Sequence, residues 1–190
     1  MVAREENVTA LAEAQSVIER GDIERGVALF EALIEDGSAH ASLMLGQMYE
    51  LGKGVARDDG KAEALYRQSK KLGSPTGAYY LARFLETATK PEAAFVEMHE
   101  ITQRGYLPAI NQLGYYYENG IGCVADLTAA AHYRAIAAER GHIFAKRWIA
   151  GRDMCSRNLI TRLKGCANFS KIILTGILLA ARDPTNERLI

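Results

Sequence analysis

The imidazoles and thiols of this sequence, its nitrogen and sulfur metal ligands and strongest nucleophiles, number seven: His40, His99, His132 and His142, with Cys123, Cys155 and Cys166. A helical metal site needs ligands on one face, as two histidines four residues apart or a His-Glu-x-x-His frame provide. None of the histidines stands in either relation to another, and the cysteines have no ligand spacing. A catalytic thiol needs a base beside it, and Cys123 has none in view. The glycine pairs Gly52/Gly54 and Gly120/Gly122 lack the Gly-x4-Gly-Lys-Ser/Thr frame of a phosphate loop and the third glycine of a dinucleotide fingerprint. The sequence therefore assigns no catalytic, cofactor-binding or metal-binding residue and points away from an enzyme.

The glycine pairs belong instead to a repeated helical element. Ala41, Leu45 and Tyr49 fall four apart on one helix face, and Gly46, Ala62 and Ser69 are small where two helices must approach closely. Gly52 and Gly54 follow the last periodic residue, where positive φ suits glycine, and Asp58 stands as an N-cap for a second helix ended by Gly73. Ala109, Leu113-Gly114, Tyr117, Gly120, Gly122, Asp126, Ala130, Ala137 and Gly141 repeat the pattern 68 residues later. Self-similarity at a fixed step is the mark of a solenoid, whose units bury their apolar faces only by stacking.

The pattern A-x3-L-G-x2-Y-x2-G-x-G-V-x2-D-x2-K-A at 41–73 resembles the Sel-one-like repeat, a 36-residue relative of the tetratricopeptide repeat, and 109–141 follows it with Cys123 in a valine position. The resemblance implies an all-α, right-handed superhelical solenoid of antiparallel helix pairs that serves as an adaptor or scaffold for other proteins. About four and a half repeats are expected, with units near 8–37, 41–73, 77–105 and 109–141 and a fifth starting at Ala145. The first is degenerate, with helices expected over Val8 to Arg20 and Glu24 to Asp36. The third is four residues short, its glycine turn reduced to Thr87-Ala88-Thr89-Lys90-Pro91. The repeat domain covers 1–154, and 155–190 forms an apolar helical extension that caps it.

In that extension a short helix from Ser156 to Lys164 ends at Gly165, and a second runs from Ser170 to Arg182 with Asp183-Pro184 as its stop. Ile172, Ile173, Leu174, Ile177, Leu178 and Leu179 wrap the second helix, so it is buried somewhere. Lys171, Asn168, Lys164 and Arg162 interrupt any longer apolar run and argue against a membrane span. A cap, a homodimer contact and a membrane-surface anchor over 170–182 remain open for it.

Formal charge is zero over 190 residues, which gives nucleic acid no electrostatic footing. Its distribution is uneven: residues 1–40 carry nine acids and three bases, residues 152–190 seven bases and three acids. Solvated surface is the ordinary reading, and head-to-tail stacking of the two ends the other. An odd number of cysteines and an acidic start at Met1-Val2-Ala3-Arg4-Glu5-Glu6 suggest free thiols in the cytoplasm.

Recognition chemistry lies on the free face of the first helices, which in stacked pairs forms a concave groove. Register places Leu43, Gln47 and Glu50, then Tyr79, Arg83 and Glu86, then Asn111, Tyr115 and Glu118, then Arg147 there. Tyrosine and arginine anchor protein interfaces, and side-chain amides bond peptide backbones. Gln47, Tyr79, Arg83, Asn111, Tyr115 and Arg147 are the expected contacts for a partner segment; self-association or membrane contact through the C-terminal helix is the alternative.

Overall fold

The computed structural model describes the backbone of residues 2–155 and 159–182, and the side chains of 9–155 and 160–175. Among the described residues every regular element is a helix, and the helices gather into two compact units, Met1–Ala88 and Thr89–Ile190.

Unit 1 holds α1 (Val2–Glu19), α2 (Ile23–Glu35), α3 (Ala39–Leu51), α4 (Asp59–Lys71) and α5 (Pro75–Thr87), each packed on its neighbour in sequence, with α3 also touching α5. Turn chemistry sets the boundaries. Asp22, Ser38, Asp58 and Ser74 each accept a backbone N–H from three residues ahead, which caps α2, α3, α4 and α5. Gly52 closes α3 at φ 64°. Ala14, Phe30, Leu33, Ala41, Leu45 and Met48 form the core where the first pair meets the second. Gly46 is small because a Cβ there would stand 2.9 Å from the Tyr66 ring. Ser69, also fully buried, donates its hydroxyl to the Ala39 carbonyl at 2.7 Å, tying the end of α4 to the start of α3.

Unit 2 holds α6 (Pro91–Gln103), α7 (Leu107–Asn119), α8 (Leu127–Glu139), α9 (Ile143–Met154) and α10 (Leu159–Arg182), again packed in sequence order. Asp126 caps α8 and Gly120 closes α7 at φ 67°. His142 takes the place that Ser38 and Ser74 hold in unit 1: fully buried, it accepts the Ala145 N–H on Nδ1 at 3.3 Å. One of the four histidines is thus a helix cap. Ahead of α6 the shortened turn is accomplished by Thr89 at φ 59°, a left-handed conformation that is costly for a β-branched residue.

Two boundaries differ from expectation. α1 begins at Val2 rather than Val8. The two helices expected over 156–164 and 170–182 are one continuous helix from Leu159, and Gly165 does not stop it. A Cβ on Gly165 would lie 2.7 Å from the Met154 nitrogen and 2.8 Å from the Ala150 carbonyl oxygen, so this glycine is where α10 crosses α9 backbone to backbone. The expected stop at Asp183-Pro184 and the start at Ser156 lie outside the described residues, as do the side chains of Ile177, Leu178 and Leu179.

Candidate functional site

The first helix of a repeat ends in a glutamate whose side chain turns inward. In unit 1, Glu50 on α3 accepts the Tyr66 hydroxyl from α4 at 2.5 Å. The Tyr66 ring, fully buried, stacks at 6.2 Å on Tyr80 and lies 5.9 Å from Phe84, both on α5. Burial, then the carboxylate, push the Tyr66 phenol far above its ordinary value of 10.0.

In unit 2 the same four positions, each 68 residues on, hold different chemistry. Glu118 on α7 accepts Arg134 Nη2 from α8 at 2.5 Å through one oxygen and Trp148 Nε1 from α9 at 3.0 Å through the other. The Arg134 guanidinium lies 4.6 Å from the centroid of the Trp148 ring, and Arg152 lies 5.1 Å from it. Gly114 makes room: a Cβ there would meet Arg134 Cγ at 2.7 Å. Burial pulls the Arg134 guanidinium below its ordinary pKa while Glu118 opposes that shift. Glu50, Tyr66, Tyr80 and Phe84 thus make an aromatic knot, and Glu118, Arg134, Trp148 and Arg152 a cationic one. Each ties two first helices through the second helix between them.

Of the expected contacts in unit 1, Arg83 is exposed and Gln47 half-buried, but Tyr79 is only 5% exposed, its ring edge-on to Tyr80 at 5.9 Å. Unit 2 leaves Tyr115 40% exposed, one turn from the half-buried Asn111, whose Oδ1 has no hydrogen-bond partner among the described residues. Arg147 is exposed, its guanidinium 5.8 Å from the rings of Phe144 and Phe169. Leu43, also expected on the free face, is buried, and Glu50 and Glu118 are committed to the knots. Sequence reasoning missed Arg134, Trp148 and Arg152; the signal available was Glu50, Glu86 and Glu118 recurring at one repeat position.

Cys123 donates to the Tyr116 carbonyl at 3.8 Å, and burial raises its thiol pKa, which works against nucleophilic use. Among the described residues no group of three or more His, Cys, Asp or Glu is placed to hold a metal. No helix among them is long and apolar enough to cross a membrane.

The family model described as Sel1 repeat matches residues 39–74 and 107–142, the α3–α4 and α7–α8 pairs with their caps. The chain carries two Sel1 repeats. Its fold is similar to a Sel1 repeat protein of Oxalobacter formigenes, with TM-score 0.71 and 18% identity over 87% of this chain and 72% of that one. It is also similar to c5321, a protective antigen of uropathogenic Escherichia coli with an SLR fold, at TM-score 0.63 and 18% identity. That match covers 77% of this chain and 33% of c5321, so the chain spans about a third of that protein. At this identity the likeness is one of fold: the described residues form an all-helical solenoid of helix pairs. Sel1 repeat proteins are generally protein-interaction scaffolds.

The aromatic knot gives this protein a testable alkaline response. A phenol whose pKa is raised on folding keeps its proton while the unfolded chain ionises, so its stabilisation is whole below pH 10.0 and is lost as pH climbs beyond. Tyr66→Phe is expected to flatten that decline by up to about 1.4 kcal/mol per pH unit. Urea titrations of both proteins from pH 9 to 11 check it; parallel slopes would refute the assignment.

Proposed function

We propose that this protein is a non-catalytic adaptor that takes a segment of another protein on the free faces of its first helices. The observation that carries the reading is on α7: an exposed tyrosine, Tyr115, one turn from Asn111, whose amide oxygen lacks a partner among the described residues. The ring is suited to anchor a partner side chain, and the Asn111 amide, whose oxygen is buried in the free protein, to accept a partner backbone N–H once the side chain turns outward. Arg147 adds a cation in the same unit. In unit 1, Arg83 and Gln47 supply the corresponding charge and amide, while Tyr79, being buried, contributes by holding Tyr80 in place. A neutral chain with exposed thiols at Cys155 and Cys166 suits a protein partner, not nucleic acid, in a reducing cytoplasm.

The test is a pull-down with the tagged full chain beside an Asn111→Ala/Tyr115→Ala variant and a Gln47→Ala/Arg83→Ala variant, all with matching thermal melts. A protein retained by the wild type and lost from either variant supports capture by that face. If every variant recovers the same proteins as the wild type, the first-helix faces are bystanders.

A further inference from the structure

The last helix offers a second surface, independent of the first-helix faces. Gly165 faces α9, and on the opposite side of α10 Ile160, Leu163 and Leu174 are 65%, 62% and 60% exposed. At 100° per residue these three fall on one ridge with Ala167, with Lys164 and Lys171 along one edge, while Arg162 stands about 60° from Gly165, toward the α9 side. All three basic residues are exposed, and α10 contains no acidic residue at all. An apolar ridge edged by cations is complementary to an apolar groove edged by carboxylates.

Unit 1 has such a groove. A depression of about 380 Å³ between α2 and α4 is lined by Ile34, Leu45, Tyr49 and Leu65, with Glu31 and Glu35 at its edge. Lys61 also borders it but is turned onto the Tyr49 ring, 4.8 Å from its centroid. Glu24, Asp22 and Asp36 extend the acidic surface along the ends of α2, all exposed.

We propose that the α10 ridge of one copy docks in the α2–α4 groove of a second copy, so that the protein self-associates head to tail. Charge selects this arrangement over the symmetric one: two α10 ridges face to face would bring Lys164 and Lys171 against their own kind, whereas Glu31 and Glu35 receive them. The contact is heterologous, leaving one ridge and one groove free at the two ends of every open assembly, so growth continues with concentration.

Sedimentation velocity of the full chain over a wide concentration range, at low and high salt, reads this directly. The wild type is expected to grow with concentration and to shrink as salt screens the lysine–glutamate contacts. Leu163→Asp spoils the ridge and Glu31→Lys/Glu35→Lys spoils the groove, and each alone is expected to weaken association by at least about tenfold. All three positions are exposed or nearly so, and circular dichroism checks that the fold survives. Mixed in equal amounts, the two variants still share one intact ridge and one intact groove, and they are expected to form a 1:1 dimer that grows no further. A wild type that stays monomeric throughout, or a groove variant that associates like the wild type while the ridge variant does not, overturns the proposal. So does a monomeric wild type that floats with phosphatidylserine vesicles and loses that binding in Leu163→Asp, which would make the ridge a lipid contact.

Discussion

Glu118→Ala is expected to destabilise unit 2 by about 3 kcal/mol, whereas Arg134→Tyr is expected to cost about 1 kcal/mol or less. The first change strips a cation of its counter-charge where its side chain is 9% exposed and takes the acceptor from the Trp148 indole as well. Leaving one member of a buried pair is the costly case; the figure sits at the low end of the usual range because the Glu118 side chain keeps 30% exposure. The second change installs at 134 the residue that unit 1 carries at the equivalent position, where Tyr66 reaches Glu50 over Gly46 as Arg134 reaches Glu118 over Gly114. The backbone already accommodates a tyrosine there, and the carboxylate keeps a donor. The chain has a single tryptophan, and it sits in this knot, so urea unfolding followed by its fluorescence reports unit 2. Equal losses for the two variants would show that the correspondence between the knots is one of backbone only.

Gly122→Ala is expected to cost about 3 to 4 kcal/mol, and Gly54→Ala, at the same repeat position, about 1 to 2 kcal/mol. Both glycines are left-handed, at φ 65° and 75°, so both alanines meet the same backbone penalty. Their surroundings separate them. A Cβ on Gly54 would press on the Ile23 side chain at 2.8 Å, which a rotamer change can relieve. A Cβ on Gly122 would collide with the Pro91 carbonyl, at the first residue of α6, and backbone there moves only if α6 shifts. Thermal and urea melts of the two variants decide the matter: a Gly54→Ala loss as large as that of Gly122→Ala would mean that φ, not crowding, governs both turns.

These contrasts show what kind of information the residues carried. Asp58, Gly52 and Gly120 announce helix ends because capping and left-handed closure are local, needing one residue and its near neighbours. Gly165 was misread as a stop because a glycine that permits positive φ and one that permits close approach are the same letter; only the position of Ala150 distinguishes them. Glu50 and Glu118 fall on the free face by register, but a long side chain can lean off the face its Cα occupies, and both lean inward to a donor. Tyr66 and Arg134 are dissimilar letters in the same role, so neither composition nor periodicity connects them until Glu50 and Glu118 are seen to receive them. Tyr79 and Tyr80 are adjacent, and which one the core takes depends on Tyr66, a helix away. Asn111 and Tyr115 needed only the helical period to be placed one turn apart.

Most of the chain's helices are 13 residues long, about 20 Å, and α9 is a residue shorter, about 18 Å, while α10 runs 24 residues, about 36 Å. A straight helix of that length can lie against α9 for no more than half its extent. Gly165 fixes the lower part to α9, and Lys171, Ile172 and Thr175 still border α8 and α9. Over its described side chains α10 therefore acts as a lid on the end of the stack, running from the Gly165 crossing to the α8–α9 turn.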